Sequence, residues 1–280
     1  MSGRETIIRP STGWLRFDLD LLWRYRDLLW SLVFRDIAVR YRQTVLGPIW
    51  LVAQPLAMTG VLTTVASGMA GISTNGERPE LFYMAGMVAW TYFSSVVYAV
   101  AQVFTVNEYL FSKVYFPRIF MPMSTATSYG FGVLIQLVPL LLMTLVFTLS
   151  GSAHPTLASL MTLPLALIQL VMIALGAGLL IASTTAKYRD LVNAAPFGVQ
   201  LWLFVTPVVY SLSVVPAEFR PLMAFINPLA INVELWRYGV LGSMAASPLD
   251  LLLSVISSTL LFVLGAVVFQ RVERTAADTI

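Results

Sequence analysis

The chain has 280 residues, 58% of them apolar and only 11% charged, against about 25% charged in average soluble domains. With a mean hydropathy of +0.80 it cannot cover a water-facing surface, which excludes a soluble globular enzyme and makes it an integral membrane protein. It has no cysteine, one histidine (His154) and no G-x-x-x-x-G-K-[ST] string, which excludes disulfides, thiolate chemistry, His-rich metal sites and a P-loop of its own.

The first 45 residues are too charged for a signal peptide, which needs an apolar centre of roughly 7–15 residues. Trp14, Phe17, Leu21, Tyr25, Leu28 and Leu32 recur at spacings of three and four, opposite a polar stripe of Arg16, Asp20, Arg24, Asp27, Ser31 and Arg35. The pattern predicts an amphipathic helix over 12–35 lying in the membrane interface, with Trp14, Trp23 and Trp30 suited to headgroup depth.

A charge at the bilayer centre costs several kcal/mol, so charges mark where the chain leaves the membrane. The uncharged runs are 43–76, 81–107, 119–186, 191–217 and 251–270. A crossing needs about 20 residues, so the longest run holds two, divided at the turn-like Ser150-Gly151-Ser152-Ala153-His154-Pro155. Six spans are therefore expected, near 47–70, 81–104, 122–149, 157–183, 196–215 and 250–270. Between the last two, 216–249 carries Glu218, Arg220, Glu234 and Arg237, and its uncharged pieces are too short to cross. It reads as re-entrant or interfacial. The expectation is an all-α, single-domain membrane protein.

Fourteen of the 17 basic residues fall on one side of this layout, leaving Arg78, Arg220 and Arg237 on the other. The positive-inside rule then puts both termini in the cytoplasm. No predicted span holds Asp, Glu, Lys or Arg near its middle, whereas proton- and ion-coupled carriers use buried charges. Uphill transport would need an outside energy source, and a separate ATPase is the obvious one. The polar groups inside the spans are neutral: Gln54, Thr59, Thr63, Gln136, Gln169, Gln200 and Thr206. For any one of them, an interhelical hydrogen bond is the simplest role.

Tyr83, Trp90 and Tyr98 share one face of the second span, and Trp202 and Tyr210 repeat the spacing on the fifth. Such stripes serve as packing or, alternatively, as stacking faces for sugar rings along a pore. The inner loop from Asn107 to Arg118 combines four aromatics with two basic residues and is closed by Pro117. It reads either as a short helix for a protein groove or as a membrane-surface helix.

These strings resemble the membrane subunit of type-two ABC exporters for cell-surface polysaccharides. The similarity lies in Phe34-Arg35-Asp36 through Arg40-Tyr41-Arg42 to Gly47-Pro48-Ile49-Trp50, in Lys113-Val114-Tyr115-Phe116-Pro117-Arg118, and in Tyr188-Arg189-Asp190-Leu191. It continues in Pro196-Phe197, Thr206-Pro207-Val208-Val209-Tyr210-Ser211, Asn227-Pro228-Leu229 and Val272-Glu273-Arg274-Thr275. Pro48 departs from the pattern, standing where an aromatic or polar residue is expected.

The resemblance implies a homodimer enclosing a channel, with two copies of an ABC-type ATPase subunit below that carry ATP and magnesium. No cofactor and no catalytic or metal site is expected in this chain, and no nucleic-acid partner. The substrate implied is a polymer on an undecaprenyl-diphosphate-type lipid, with O-antigen or teichoic acid the better-matched branch. Segment 107–118 would include the coupling helix, making Asn107, Glu108, Lys113, Tyr115, Phe116 and Arg118, with Tyr188, Arg189 and Asp190, the candidates for ATPase coupling. Segment 216–240 would resemble the outward gate, with Glu218, Arg220, Glu234 and Arg237 as its charges. Arg35, Arg40 and Arg42 precede the first span, where guanidinium forks suit a lipid diphosphate headgroup; positive-inside topology and contact with anionic membrane lipids explain them equally. Two other readings are an exporter of small lipids or drugs and a membrane-embedded transferase for lipid-linked sugars. The transferase would want interfacial carboxylates or a His, and the lone D-x-D, Asp18-Leu19-Asp20, lies on the polar face of the amphipathic helix.

Overall fold

The computed structural model describes residues 23, 25–42, 44, 46–107, 116–188 and 190–277. Among them all regular structure is helical. Helix α1 (Arg26–Tyr41) carries Asp27 in its first turn and Arg40 in its last, each complementing the helix dipole. It buries Leu32 and Val33 and leaves Trp30 and Phe34 exposed. Trp14, Phe17 and Leu21 of the predicted stripe lie outside the described residues, whereas Tyr25 and Leu28 pack on the core beside Leu32.

Gly47, at φ +49°, turns the chain into α2 (Ile49–Val61), with Pro48 as its N-cap. The unusual Pro48 therefore begins the span, where a missing N–H costs nothing. The helix continues as a π-helical stretch, Leu62–Met69. A tight turn through Asn75 and Gly76, both at positive φ, leads to α3 (Pro79–Ala101), which is buried along nearly its whole length and forms the centre of the bundle. The short α4 (Val103–Val106) follows it. Helix α5 (Phe120–Leu149) packs on α1, α2 and α3. Then come α6 (Leu157–Leu160), held by a Thr156–Ser159 capping box, and α7 (Thr162–Thr185).

Helix α8 (Leu191–Val205) is 15 residues long, about 22 Å, short of a roughly 30 Å hydrocarbon core. The expected fifth span, 196–215, is thus corrected. Thr206 precedes Pro207 and takes an extended conformation (φ −90°, ψ 134°), as the residue before a proline prefers. The chain still runs alongside α3. The Pro196 carbonyl accepts from Tyr98 near one end of α3, and Val208 lies beside Gly86 near the other. Five helices, Ile49–Met69, Pro79–Ala101, Phe120–Leu149, Leu157–Thr185 and Pro248–Glu273, are long and apolar enough to cross a membrane. Beyond Thr206 the chain turns and bends through 207–210 instead of continuing as helix.

A 3-10 turn at Leu212–Val214 leads into α9 (Arg220–Ile226) and α10 (Pro228–Leu241). Arg220, at the start of this pair, donates to the carbonyl of Ala245 just beyond its end (3.3 Å), so the chain enters and leaves on the same side. Within the bundle, α10 is buried against α3 and α7. Helix α11 (Pro248–Ala277) starts with a reciprocal cap: the Ser247 N–H donates to the Asp250 carboxylate (2.8 Å) and the Asp250 N–H to Ser247 Oγ (3.2 Å). It crosses α7 at glycines, where a Cβ on Gly176 would stand 2.8 Å from the Leu261 backbone. Small residues let helix backbones approach where lipid offers no hydrophobic drive to associate.

Candidate functional site

At the end of the bundle that the arginine distribution assigns to the cytoplasm, α1, the last turns of α3 and the start of α5 enclose a cavity of about 570 Å³. Arg35, Asp36, Arg40, Gln102, Asn107 and Tyr129 are among its walls. Arg35 is held by its neighbour, donating to Asp36 Oδ1 at 2.7 Å, and Ser124 Oγ donates to Asp36 Oδ2 at 3.4 Å. Arg40 lies 3.6 Å above the Tyr129 ring centroid and donates to Ser128 Oγ (3.2 Å). It has no carboxylate partner among the described residues, so its charge is the one available to an anion. Arg42, the C-cap of α1, is exposed and does not line the cavity. Of the three arginines singled out in the sequence, two converge and one does not.

Residues 108–115 and Arg189 lie outside the described residues, and with them Glu108, Lys113 and Tyr115. The flanks are placed. The Asn107 side chain donates back to the Val103 carbonyl (3.0 Å), and the Arg118 N–H donates to the Glu273 carboxylate (2.9 Å). Phe116 is buried in the core cluster, so its assignment to an ATPase-binding surface is corrected: its ring packs the bundle. Tyr188 and Asp190 are exposed. Thr185 Oγ1 donates to the Ala101 carbonyl (2.7 Å), tying the end of α7 to the end of α3. The loops after these two helices consequently emerge side by side.

At the opposite end, Glu234 and Arg237 form a buried ion pair at 2.9 Å. Arg237 also donates to the carbonyls of Val208 (2.8 Å), Phe82 (3.3 Å) and Tyr210 (3.5 Å). Both of these expected gate charges are buried. They are interior, affordable because the pair neutralises itself and the arginine's remaining donors are met. Arg220 is likewise engaged, by the carbonyls of Val215, Ser213 and Ala245; Glu218 is exposed. Asn227, between α9 and α10, accepts from Trp202 Nε1 (3.2 Å) and donates to Thr206 Oγ1 (3.0 Å). Asn227 and Arg237 together fasten the turns after α8 to the α9–α10 pair.

The aromatic stripe divides. Tyr83 is fully buried and Trp90 nearly so, among core residues of a single chain, so neither presents a stacking face here. Tyr98 is half-buried, Tyr210 donates to the Val205 carbonyl (3.2 Å), and Trp202 is exposed along one side. Two residues given a bland reading in the sequence behave otherwise. Gln54 on α2 and Gln200 on α8 are exposed at membrane depth, and neither side chain hydrogen-bonds within the described residues. Their expected interhelical bonds are not made. Gln169 does make one, donating to Ser254 Oγ (2.8 Å).

Comparison with known proteins bears on this arrangement. The profile of the ABC-2 type transporter family matches residues 27–241, from the first turn of α1 to the end of the re-entrant pair. The chain belongs to the ABC-2 type transporter family. Its relatives include an O-antigen export system permease protein RfbA from Klebsiella pneumoniae, 25% identical over 256 residues, covering 90% of this chain and 94% of the relative. Another protein of that name, from Myxococcus xanthus, is 31% identical over 209 residues, covering 74% of this chain and 78% of its own length. The ABC-2 match thus takes in the arginine cavity, the Glu234–Arg237 pair and both exposed glutamines.

Proposed function

We propose that the chain is the membrane subunit of an ATP-driven exporter that moves a lipid-linked cell-surface polysaccharide, O-antigen above all, through a channel between two copies of itself. The observation that carries the reading is the placement of Gln54 and Gln200. Hydrocarbon leaves an exposed amide unsatisfied, so two such side chains on otherwise apolar faces call for water or a hydroxylated substrate beside α2 and α8. The exposed edge of Trp202 adds a stacking face. The names of the Klebsiella pneumoniae and Myxococcus xanthus relatives support the choice of O-antigen.

ATP and magnesium would bind a separate ATPase subunit in two copies, docked at the adjoining loops that hold Tyr188 and Asp190. The arginine cavity would receive the diphosphate of an undecaprenyl-type carrier, with Arg40 as its principal contact. The experiment is reconstitution of the chain with its copurifying ATPase in liposomes loaded with lipid-linked glycan. ATP-dependent glycan movement is expected, and Gln54→Leu with Gln200→Leu should slow it about fivefold each, the worth of one hydrogen bond, without loss of the ATPase. A chain that purifies alone and moves no glycan overturns the proposal.

A further inference from the structure

Two cavities meet at Arg40. Beyond the larger one lies a second, of about 280 Å³, between α2, α3 and α5. Arg40 and Tyr129 line both. The walls of the inner cavity include Trp50, Gln54, Thr91, Tyr92, Ser95 and Gln136, and Arg40 supplies its one formal charge. Gln136 is 3% exposed, and its Oε1 accepts no hydrogen bond. A buried amide oxygen left in that state costs about 1–3 kcal/mol, which marks the cavity as made for a donor. The Tyr92 hydroxyl is not that donor, being committed to the Ala126 carbonyl at 3.1 Å.

Three ligand chemistries can be compared with these walls. A fully ionised phosphate would satisfy Arg40 but has no proton for Gln136. An acyl or prenyl chain would leave the amides and hydroxyls unmet; it fits instead the apolar groove on the other side of the α2–α5 seam, lined by Val52, Phe131, Leu134, Ile135, Val138 and Leu142. A hydroxylated ring joined to a phosphate meets both demands. Its anion reaches Arg40, a hydroxyl donates to Gln136, and the exposed ring of Trp50 offers an apolar face to its C–H patches.

We infer that the inner cavity is a sugar subsite that holds the first sugar of a glycosyl phosphate whose anionic group sits on Arg40. It rests on the headgroup reading above and deepens it. Gln136 is then a specificity residue, distinguishing a carrier lipid that bears a sugar from one that is bare.

The test measures binding to the complex of the chain with its ATPase, in nanodiscs of neutral lipid, using two probes: a short polyprenyl diphosphate and the same lipid carrying one sugar. The wild-type complex should bind the sugar-bearing lipid about tenfold more tightly, as expected when a hydrogen bond replaces an orphaned acceptor. Gln136→Leu, close in volume, should bring the sugar-bearing lipid down to the affinity of the bare one. Arg40→Ala should weaken both alike. Equal wild-type affinities, or a preference that survives Gln136→Leu, overturn the subsite while leaving the headgroup reading standing. Failure of the bare lipid to bind the wild type overturns both. Should Gln136→Leu not insert, Thr91→Val on the facing wall must narrow the preference, and an unchanged preference there counts against the subsite.

Discussion

The guanidinium of Arg237 lies over the ring of Phe82, 3.4 Å from its centroid, so the re-entrant pair is fastened to the helix at the centre of the bundle. The same side chain takes the carbonyls of Val208 and Tyr210, where the chain after α8 has no helical partners of its own. One arginine thereby joins three segments that sequence separates widely.

Removing it leaves the Glu234 carboxylate buried and unpaired together with orphaned carbonyls. Arg237→Ala should cost about 3–5 kcal/mol of stability, read as a lower unfolding midpoint in detergent. The double variant Glu234→Gln with Arg237→Met should lose less than the sum of the two single changes, because no lone charge remains. Additive losses would show that the pair does not act as a unit.

The α7–α11 crossing depends on absent side chains. A Cβ on Gly265 would collide with the Gly176 carbonyl, and one on Gly176 with the backbone of Leu261. Since backbone cannot yield as a flexible side chain does, Gly265→Val should destabilise by about 1–3 kcal/mol or more and lower the amount of folded protein in the membrane. Gly130→Ala is the contrast: it faces open space within α5 and should be neutral or stabilising by about 0.5–1 kcal/mol. Equal yields and melting points for the two variants would contradict the packing argument.

The arginines before the first span should separate. Arg40→Ala removes the cation aimed into the cavity and should weaken apparent affinity for lipid-linked substrate about tenfold or more, the worth of a charge-assisted hydrogen bond. Arg42→Ala should change it little. Arg40→Lys should restore only part, since an ammonium lacks the planar fork. Equal effects at the two positions would reduce both to generic attraction for anionic lipid.

Phe116 and Tyr188 make a further pair of contrasts. Phe116→Ala opens a cavity in the core and should cost about 3–5 kcal/mol, with any loss of ATPase binding following loss of folded protein. Tyr188→Ala should leave the melting temperature unchanged and reduce copurification of the ATPase. A reversal, with Phe116→Ala stable yet unable to hold the ATPase, would return that ring to the docking surface.

Most of the architecture was legible because hydrocarbon imposes it. Ile49–Met69, Pro79–Ala101, Phe120–Leu149 and Leu157–Thr185 fall within a few residues of the uncharged runs, since a helix of that composition has one stable location. The fifth span was misjudged because hydropathy registers apolar residues without registering helix. Thr206-Pro207 ends α8, and the apolar stretch beyond it runs on in turns and bends, with the carbonyls of Val208 and Tyr210 met by Arg237. The pairing of Glu234 with Arg237 inside the bundle was not legible, because a charge map registers each charge without its partner.

What the sequence determined by itself was membrane residence, the approximate position of the long apolar helices and the resemblance to a transporter family. These follow from composition, charge spacing and local strings. Which way each helix turns was decided only by tertiary structure. Tyr83 and Trp90 share a face with Tyr98, and nothing in their spacing told that α10 and its neighbours would cover two of the three. Gln54, Gln136, Gln169 and Gln200 were equivalent on the page of the sequence. Packing bonds Gln169 across the bundle, leaves Gln54 exposed at the cavity that Gln136 also lines, turns Gln200 outward, and leaves Gln136 with an unmet oxygen, because helix rotation is set by neighbouring surfaces and not by hydropathy.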